Sequence, residues 1–156
     1  MSGGSTKEQA SRAAPPVPAL LRRPAMVVRH RMMERLHDAG FGDILPAHLG
    51  VFQYPGPEGQ RPGVLAARTL ASKQAMNHLL HQLETAGYLL REGHPMDRRT
   101  RVVRLTDRGW AAVGVLRATS LEIEEAWRRS LGERVYADLR DALFALETVL
   151  DENGGA

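Results

Sequence analysis

Apolar residues recur at helical spacing through most of this chain, and one stretch carries extended runs instead. Met76, Leu79, Leu80 and Leu83 fall at three- and four-residue steps, the repeat that gathers side chains on one face of a helix. The opposite face carries Lys73, Gln74, Asn77, His78, His81 and Gln82. Ser72 suits the N-cap, where its hydroxyl accepts from a free backbone N–H, and Gly87 supplies the left-handed residue that ends a helix. Upstream, residues 61–69 predict a short helix with Pro62 in its first turn, and Leu70-Ala71 leave the tight connection that two crossing helices need. Downstream, Tyr88 to Glu92 and Arg101 to Leu105 are extended candidates around a polar loop, Gly93 to Thr100.

The flanks are helical too. Ala25, Val28, Met32 and Leu36 form a stripe on a first helix starting near Pro24. Asp43 to Phe52 predicts a second helix with Pro46 in its first turn, followed by a Pro/Gly loop from Tyr54 to Gly59. Thr106 caps a long helix reaching about Ser130, roughly 37 Å at 1.5 Å per residue. Gly132 opens a last helix with Val135, Leu139, Leu143 (or Ala142), Leu146 and Leu150 as an apolar seam. From periodicity alone that seam is equally intramolecular or a contact with another chain.

Helix, tight turn, helix and hairpin in that order describe a winged helix-turn-helix. The fold class is mainly α with a small β-wing (α+β). Charge sharpens this reading. Residues 61–104 hold eight Lys/Arg against three acids, whereas residues 105–156 hold six against ten, so the net charge of +3 conceals a basic middle. A polar helix face alone is what any surface helix shows. Its coincidence with a basic patch is the footprint of a DNA reader. Asn and Gln can pair bidentately with adenine edges and Lys can reach guanine, and the N-terminal part of a recognition helix is what meets bases. Ser72, Lys73, Gln74, Asn77 and His78 crowd into that part.

Leu83-Glu84, Gly87-Tyr88-Leu89, Asp97-Arg98-Arg99 and Leu105-Thr106-Asp107-Arg108-Gly109 follow one another in order. This pattern resembles the DNA-binding core of the MarR family of bacterial transcription regulators. The motif-bearing stretch covers under a third of the chain, and the surrounding helices fit the family layout. The resemblance implies that Arg99 on the wing enters the minor groove and that Asp97 orients the wing by ion pairing. A narrow minor groove concentrates negative potential and attracts a guanidinium. Arg98 and Arg101 are expected on phosphates. The resemblance also implies an obligate homodimer, with N- and C-terminal helices of two subunits interleaved. Two recognition helices would then stand about 34–36 Å apart over a pseudo-palindrome of double-stranded DNA. A small aromatic effector would bind between the dimerisation helices and the connector (residues 43–63), with His30, His37, His48 and Tyr54 as candidate lining.

The expected organisation is a disordered arm over residues 1–18, a single domain over 19–150 and a frayed end over 151–156. Within the domain, 19–40 and 106–150 are dimerisation helices and 43–105 the winged-helix region. The N-terminus lacks the apolar centre of a secretion signal, no run is long enough to span a membrane, and a cytoplasmic location is expected. The chain has no cysteine, so disulfides, cysteine-ligated zinc and a reactive-cysteine oxidant sensor are excluded. There is no G-x-S-x-G, no phosphate-cradling glycine loop and no H-E-x-x-H. His78, His81 and His94 lack an acid or cysteine to complete a metal site, and His94 with Asp97 lacks a nucleophile. No enzyme activity, cofactor or metal is expected. The reading is a homodimeric, sequence-specific regulator acting as a repressor released by an effector. The alternative is a winged-helix protein–protein interaction module without specific DNA binding.

Overall fold

The computed structural model describes residues 14–53, 59–94 and 97–154, and the side chains of residues 94, 97–100, 153 and 154 fall outside that description. Its helices are α1 (Val17–Asp38), a 3-10 turn (Pro46–His48) running into α2 (Leu49–Phe52), α3 (Pro62–Arg68), α4 (Lys73–Thr85), α5 (Asp107–Leu131) and α6 (Glu133–Gly154). Between α4 and α5, β1 (Leu89–His94) and β2 (Asp97–Leu105) form a two-stranded antiparallel hairpin. This is the expected mainly α chain with a β-wing.

The core draws one to three residues from nearly every element. Leu36 ends α1, Ile44, Leu49 and Phe52 come from the connector, and Leu65 from α3. Met76, Leu80 and Leu83 come from α4, Tyr88, Leu89 and Val103 from the base of the wing, and Ala112 and Leu116 from α5. The winged helix is therefore packed directly on α5, the long helix that carries it.

Three turns share one stop. Phe41 N donates to Leu36 O at 2.8 Å and Tyr88 N to Leu83 O at 2.9 Å, closing α1 and α4 around Gly40 and Gly87. Ala71 N donates to Ala66 O at 2.9 Å in the same way after α3, but there the left-handed position is Leu70, at φ 53°. That residue type is strained in this conformation. It is also 96% exposed, so no packing compensates at the turn between the two crossing helices.

Several expected boundaries move. The helix begins at Val17, seven residues before Pro24, so Val17 and Pro18 are helical and not part of an arm; residues 1–13 lie outside the described residues. Proline readily starts a helix, which made Pro24 look like the first turn. Yet Val17 and Leu21 continue the stripe of Ala25, Val28 and Met32, and the helix carries Pro24 in its interior. Asp43 lies outside any helix, because Leu45 is extended before Pro46 (φ −99°, ψ 157°), as a residue preceding proline tends to be. Both strands reach further toward the tip than expected, with His94 paired to Asp97 and an irregularity at Gly93/His94. Only Pro95 and Met96 remain between them, and they lie outside the described residues. Gln60, between the expected loop and the expected helix, also pairs with Val103 (Gln60 N to Val103 O 2.9 Å). At the C-terminus the helix continues to Gly154 instead of fraying from 151; Asp151-Glu152-Asn153 contains no strong helix breaker.

Candidate nucleic-acid interface

α4 starts as its sequence requires: Ser72 Oγ accepts from Ala75 N at 3.1 Å. Met76, Leu80 and Leu83 are fully buried and Leu79 half-buried, which turns the opposite face outward. Ser72, Lys73, Gln74, Asn77 and His78 are all exposed and share that outward face at the N-terminal end of the helix. Gln82 does not join them. Its Oε1 lies 3.0 Å from His48 Nε2, while His48 Nδ1 accepts from Leu45 N at 3.1 Å. That pair of contacts fixes the His48 tautomer, with the proton on Nε2 donated to Gln82.

The wing is strapped to α4 by Arg91. Its guanidinium donates to the backbone oxygen of Asn77 at 2.9 Å, lies 3.5 Å from Asn77 Oδ1, and pairs with Glu84 at 3.4 Å. The Leu-Glu signature thus has a physical sense: Leu83 enters the core while Glu84 anchors the first strand. Farther out, Arg104 pairs with Glu92 across the hairpin at 3.4 Å, and Arg101 is exposed. The backbone of Asp97, Arg98 and Arg99 belongs to β2 at the tip of the hairpin. Their side chains, and with them the ion pair expected of Asp97, lie outside the described residues.

Behind the interface sits a polar knot that sequence reasoning missed. Tyr88, fully buried, donates its hydroxyl to Asp43 Oδ1 and accepts from Arg108 at 3.0 Å. Arg108 also reaches Asp43 Oδ2 at 2.8 Å and lies 4.4 Å above the Tyr88 ring. Phe41 and Phe52 pack on that ring at 6.1 and 5.8 Å between centroids. Burial, then the bond to Asp43, raises the Tyr88 phenol above its ordinary value. Burial also works against the charge on Asp43, but the Tyr88 hydroxyl, a backbone N–H and Arg108 outweigh it and hold the carboxyl below its usual range. The knot ties the connector, the end of α4 and the start of α5 into one joint.

The Leu-Thr-x-x-Gly signature closes the same joint. Thr106 Oγ1 donates to Gly87 O at 2.7 Å and accepts from Gly109 N at 3.2 Å, and Thr106 N donates to Tyr88 O at 3.0 Å. A Cβ on Gly109 would stand 2.2 Å from Tyr88 O. Only glycine lets α5 approach so closely.

The candidate effector residues are not brought together. His30 is exposed and 3.3 Å from Glu34 on its own helix. His37 is exposed in the last turn of α1, and His48 is buried and engaged with Leu45 and Gln82. Tyr54 lies outside the described residues. The family resemblance suggested these residues as pocket lining, but the sequence could not show which way α1 faces. A cleft of about 1090 Å³ opens elsewhere, lined by Leu20, Leu21, Val28 and Met32 of α1, Pro46 and Leu49 of the connector, Trp127, and Leu139 and Leu143 of α6. None of the three described histidines lines it. Among the described residues no group of three or more His, Asp or Glu side chains is placed to hold a metal ion, and no helix is long and apolar enough to cross a membrane.

No protein-family model matches the chain, and no curated protein sequence does. Solved structures match along most of its length. The transcriptional regulator Tm0710 from Thermotoga maritima is 26% identical, with 90% of this chain and 98% of that one covered and a TM-score of 0.58. FabT from Streptococcus pneumoniae, solved in complex with DNA, is 18% identical over 87% of this chain and 96% of its own, with a TM-score of 0.73. CouR from Rhodococcus jostii RHA1, solved with p-coumaroyl-CoA, is 21% identical over 81% of this chain and 88% of its own, at a TM-score of 0.66. Other matched structures are described as MarR-family regulators.

Proposed function

The chain has the winged-helix fold of the MarR-family regulators, and we propose that it works as they do, as a DNA-binding transcription regulator. One observation carries the reading. The exposed face of α4, from Ser72 to His78, stands beside a hairpin bearing Arg101 and tipped by Asp97-Arg98-Arg99. In this reading α4 enters the major groove and Arg99 the minor groove, while Arg98 and Arg101 lie on phosphates. Asp97 orients the tip. Transcription-regulator neighbours, two of them (FabT and CouR) solved on DNA, support this in preference to an enzyme.

We further propose a homodimer. Of α6, Tyr136 alone is buried among the described residues, while Val135, Leu139, Leu143, Leu146 and Leu150 stand open along one seam. Val17, Leu20 and Leu21 of α1 are exposed as well. Soluble monomers rarely leave so continuous an apolar surface in water. A second copy would cover it and set two α4 helices over a pseudo-palindrome. A second copy on that surface would also close the α1–α6 side of the cleft, and the part left beside Pro46 and Leu49 of the connector is the proposed seat of a small aromatic effector, in place of the histidines. Binding there would alter the spacing of the two readers and release a repressor from its site, in the cytoplasm where the DNA is.

The test begins at the wing. Arg99→Ala should weaken binding to the preferred duplex by about 1–3 kcal/mol, an ordinary groove contact, with the dimer intact by light scattering. Unchanged affinity would remove Arg99 from the groove.

A further inference from the structure

α1, α3 and α4 close with the same pair of backbone hydrogen bonds, but not with the same residue. After α1 and α4 the left-handed position is Gly40 (φ 88°) and Gly87 (φ 78°). After α3 it is Leu70 (φ 53°), whose N–H donates to Ala67 O at 3.2 Å while Ala71 N donates to Ala66 O at 2.9 Å. Glycine ends a helix this way without a Cβ penalty, whereas leucine is strained there. Burying the side chain could offset the strain, yet Leu70 is 96% exposed. An exposed leucine alone asks for no explanation. One that is both strained and left in water points to a use outside the fold.

The position of Leu70 narrows that use. Its turn is held on both sides: Thr69 Oγ1 donates to Leu65 O at 2.8 Å, Ala71 packs against the core, and Ser72 caps α4. Two residues span at most about 7 Å, so Leu70 stands close to Ser72, at the end of α4 that meets the major groove in the DNA-binding reading on which this inference rests. Its exposed neighbours in sequence, Arg68, Ser72, Lys73 and Gln74, are all hydrogen-bonding residues. They form no apolar patch of the kind a protein partner would cover. Among the base edges of the major groove the apolar feature is the C5 methyl of thymine. We propose that Leu70 packs on a thymine methyl beside the bases that α4 reads, and so selects thymine at that position.

The experiment is selection from a random-sequence duplex library with the wild-type chain and Leu70→Gly, followed by titration of the selected duplex. Wild-type sites should carry a thymine at a position where Leu70→Gly shows no preference. Replacing that thymine by uracil, which lacks only the C5 methyl, should weaken wild-type binding about fourfold for each methyl removed, the worth of burying one such group. Binding by Leu70→Gly should not change. Leu70→Gly should also melt at or above the wild type at equal concentration, because a strained residue is replaced and no packing is lost. A variant at least as stable that reads one base fewer is not what a structural role for Leu70 would produce. The inference is overturned if both chains select the same sequences, if uracil weakens both equally or neither, or if Leu70→Gly melts below the wild type. A wild-type chain that enriches no sequence at all would remove the DNA-binding reading itself, and this inference with it.

Discussion

Gly109→Ala should cost the chain about 3 kcal/mol or more of stability, the upper end of what overpacking does. The new Cβ would lie 2.2 Å from Tyr88 O, a backbone atom. Neither side can yield cheaply. Thr106 pins the start of α5 to Gly87 and Tyr88 through bonds of 2.7 and 3.0 Å, and Tyr88 is held in turn by Asp43 and Arg108. For a chain of this length such a loss lowers the thermal midpoint by roughly 6–12 °C. The comparison must be made at equal protein concentration, since a dimer's midpoint depends on it. A midpoint within a degree or two of the wild type would show that the joint is looser than its geometry.

Leu143→Glu should have the largest effect on function without touching the winged helix. Leu143 lies on the open seam of α6 and is 40% exposed in the single chain. In a two-fold dimer each substitution would bring a charge into an apolar contact from both sides, and an unpaired buried charge costs several kcal/mol. Light scattering should then report the 17.2 kDa single chain where the wild type reports twice that mass. The core cluster excludes Leu143, so the winged helix should stay folded. Affinity for a two-half-site duplex should fall by about a hundredfold or more, the usual worth of linking two binding modules. A Leu143→Glu chain that stays dimeric, or a monomer with undiminished affinity, would contradict the proposed assembly.

Much of this architecture was legible because it is local. α4 could be read at both ends, from the Ser72 hydroxyl and from Gly87, and in between from the Met76, Leu80 and Leu83 repeat. The wing was harder. Its outer half shows no apolar alternation in sequence, so Gly93-His94 and Asp97 to Thr100 looked like loop although they belong to the strands, with His94 paired to Asp97. Pro24 misled for the opposite reason, a strong local signal overridden by an apolar stripe running past it. What stayed hidden were the long-range polar contacts. Asp43 meets Tyr88 and Arg108 across separations of 45 and 65 residues, and no spacing rule links them. His48 was one polar letter among several, and its engagement with Leu45 and Gln82 depends on how the connector packs. The Leu-Thr-x-x-Gly signature could be recognised, but its reason, a close approach that only Gly109 permits, is a distance.

The central claim is that two copies of this chain read one DNA site. It is tested most directly by mobility-shift titration of the purified chain on its own upstream DNA, at low and high salt, with excess random duplex as competitor. The expected result is a single complex of two chains per duplex that withstands the competitor. It should weaken by about 10³-fold or more between about 50 and 200 mM salt, as charges on phosphates require. A shift that random DNA abolishes equally, or no shift at low salt, would contradict the account.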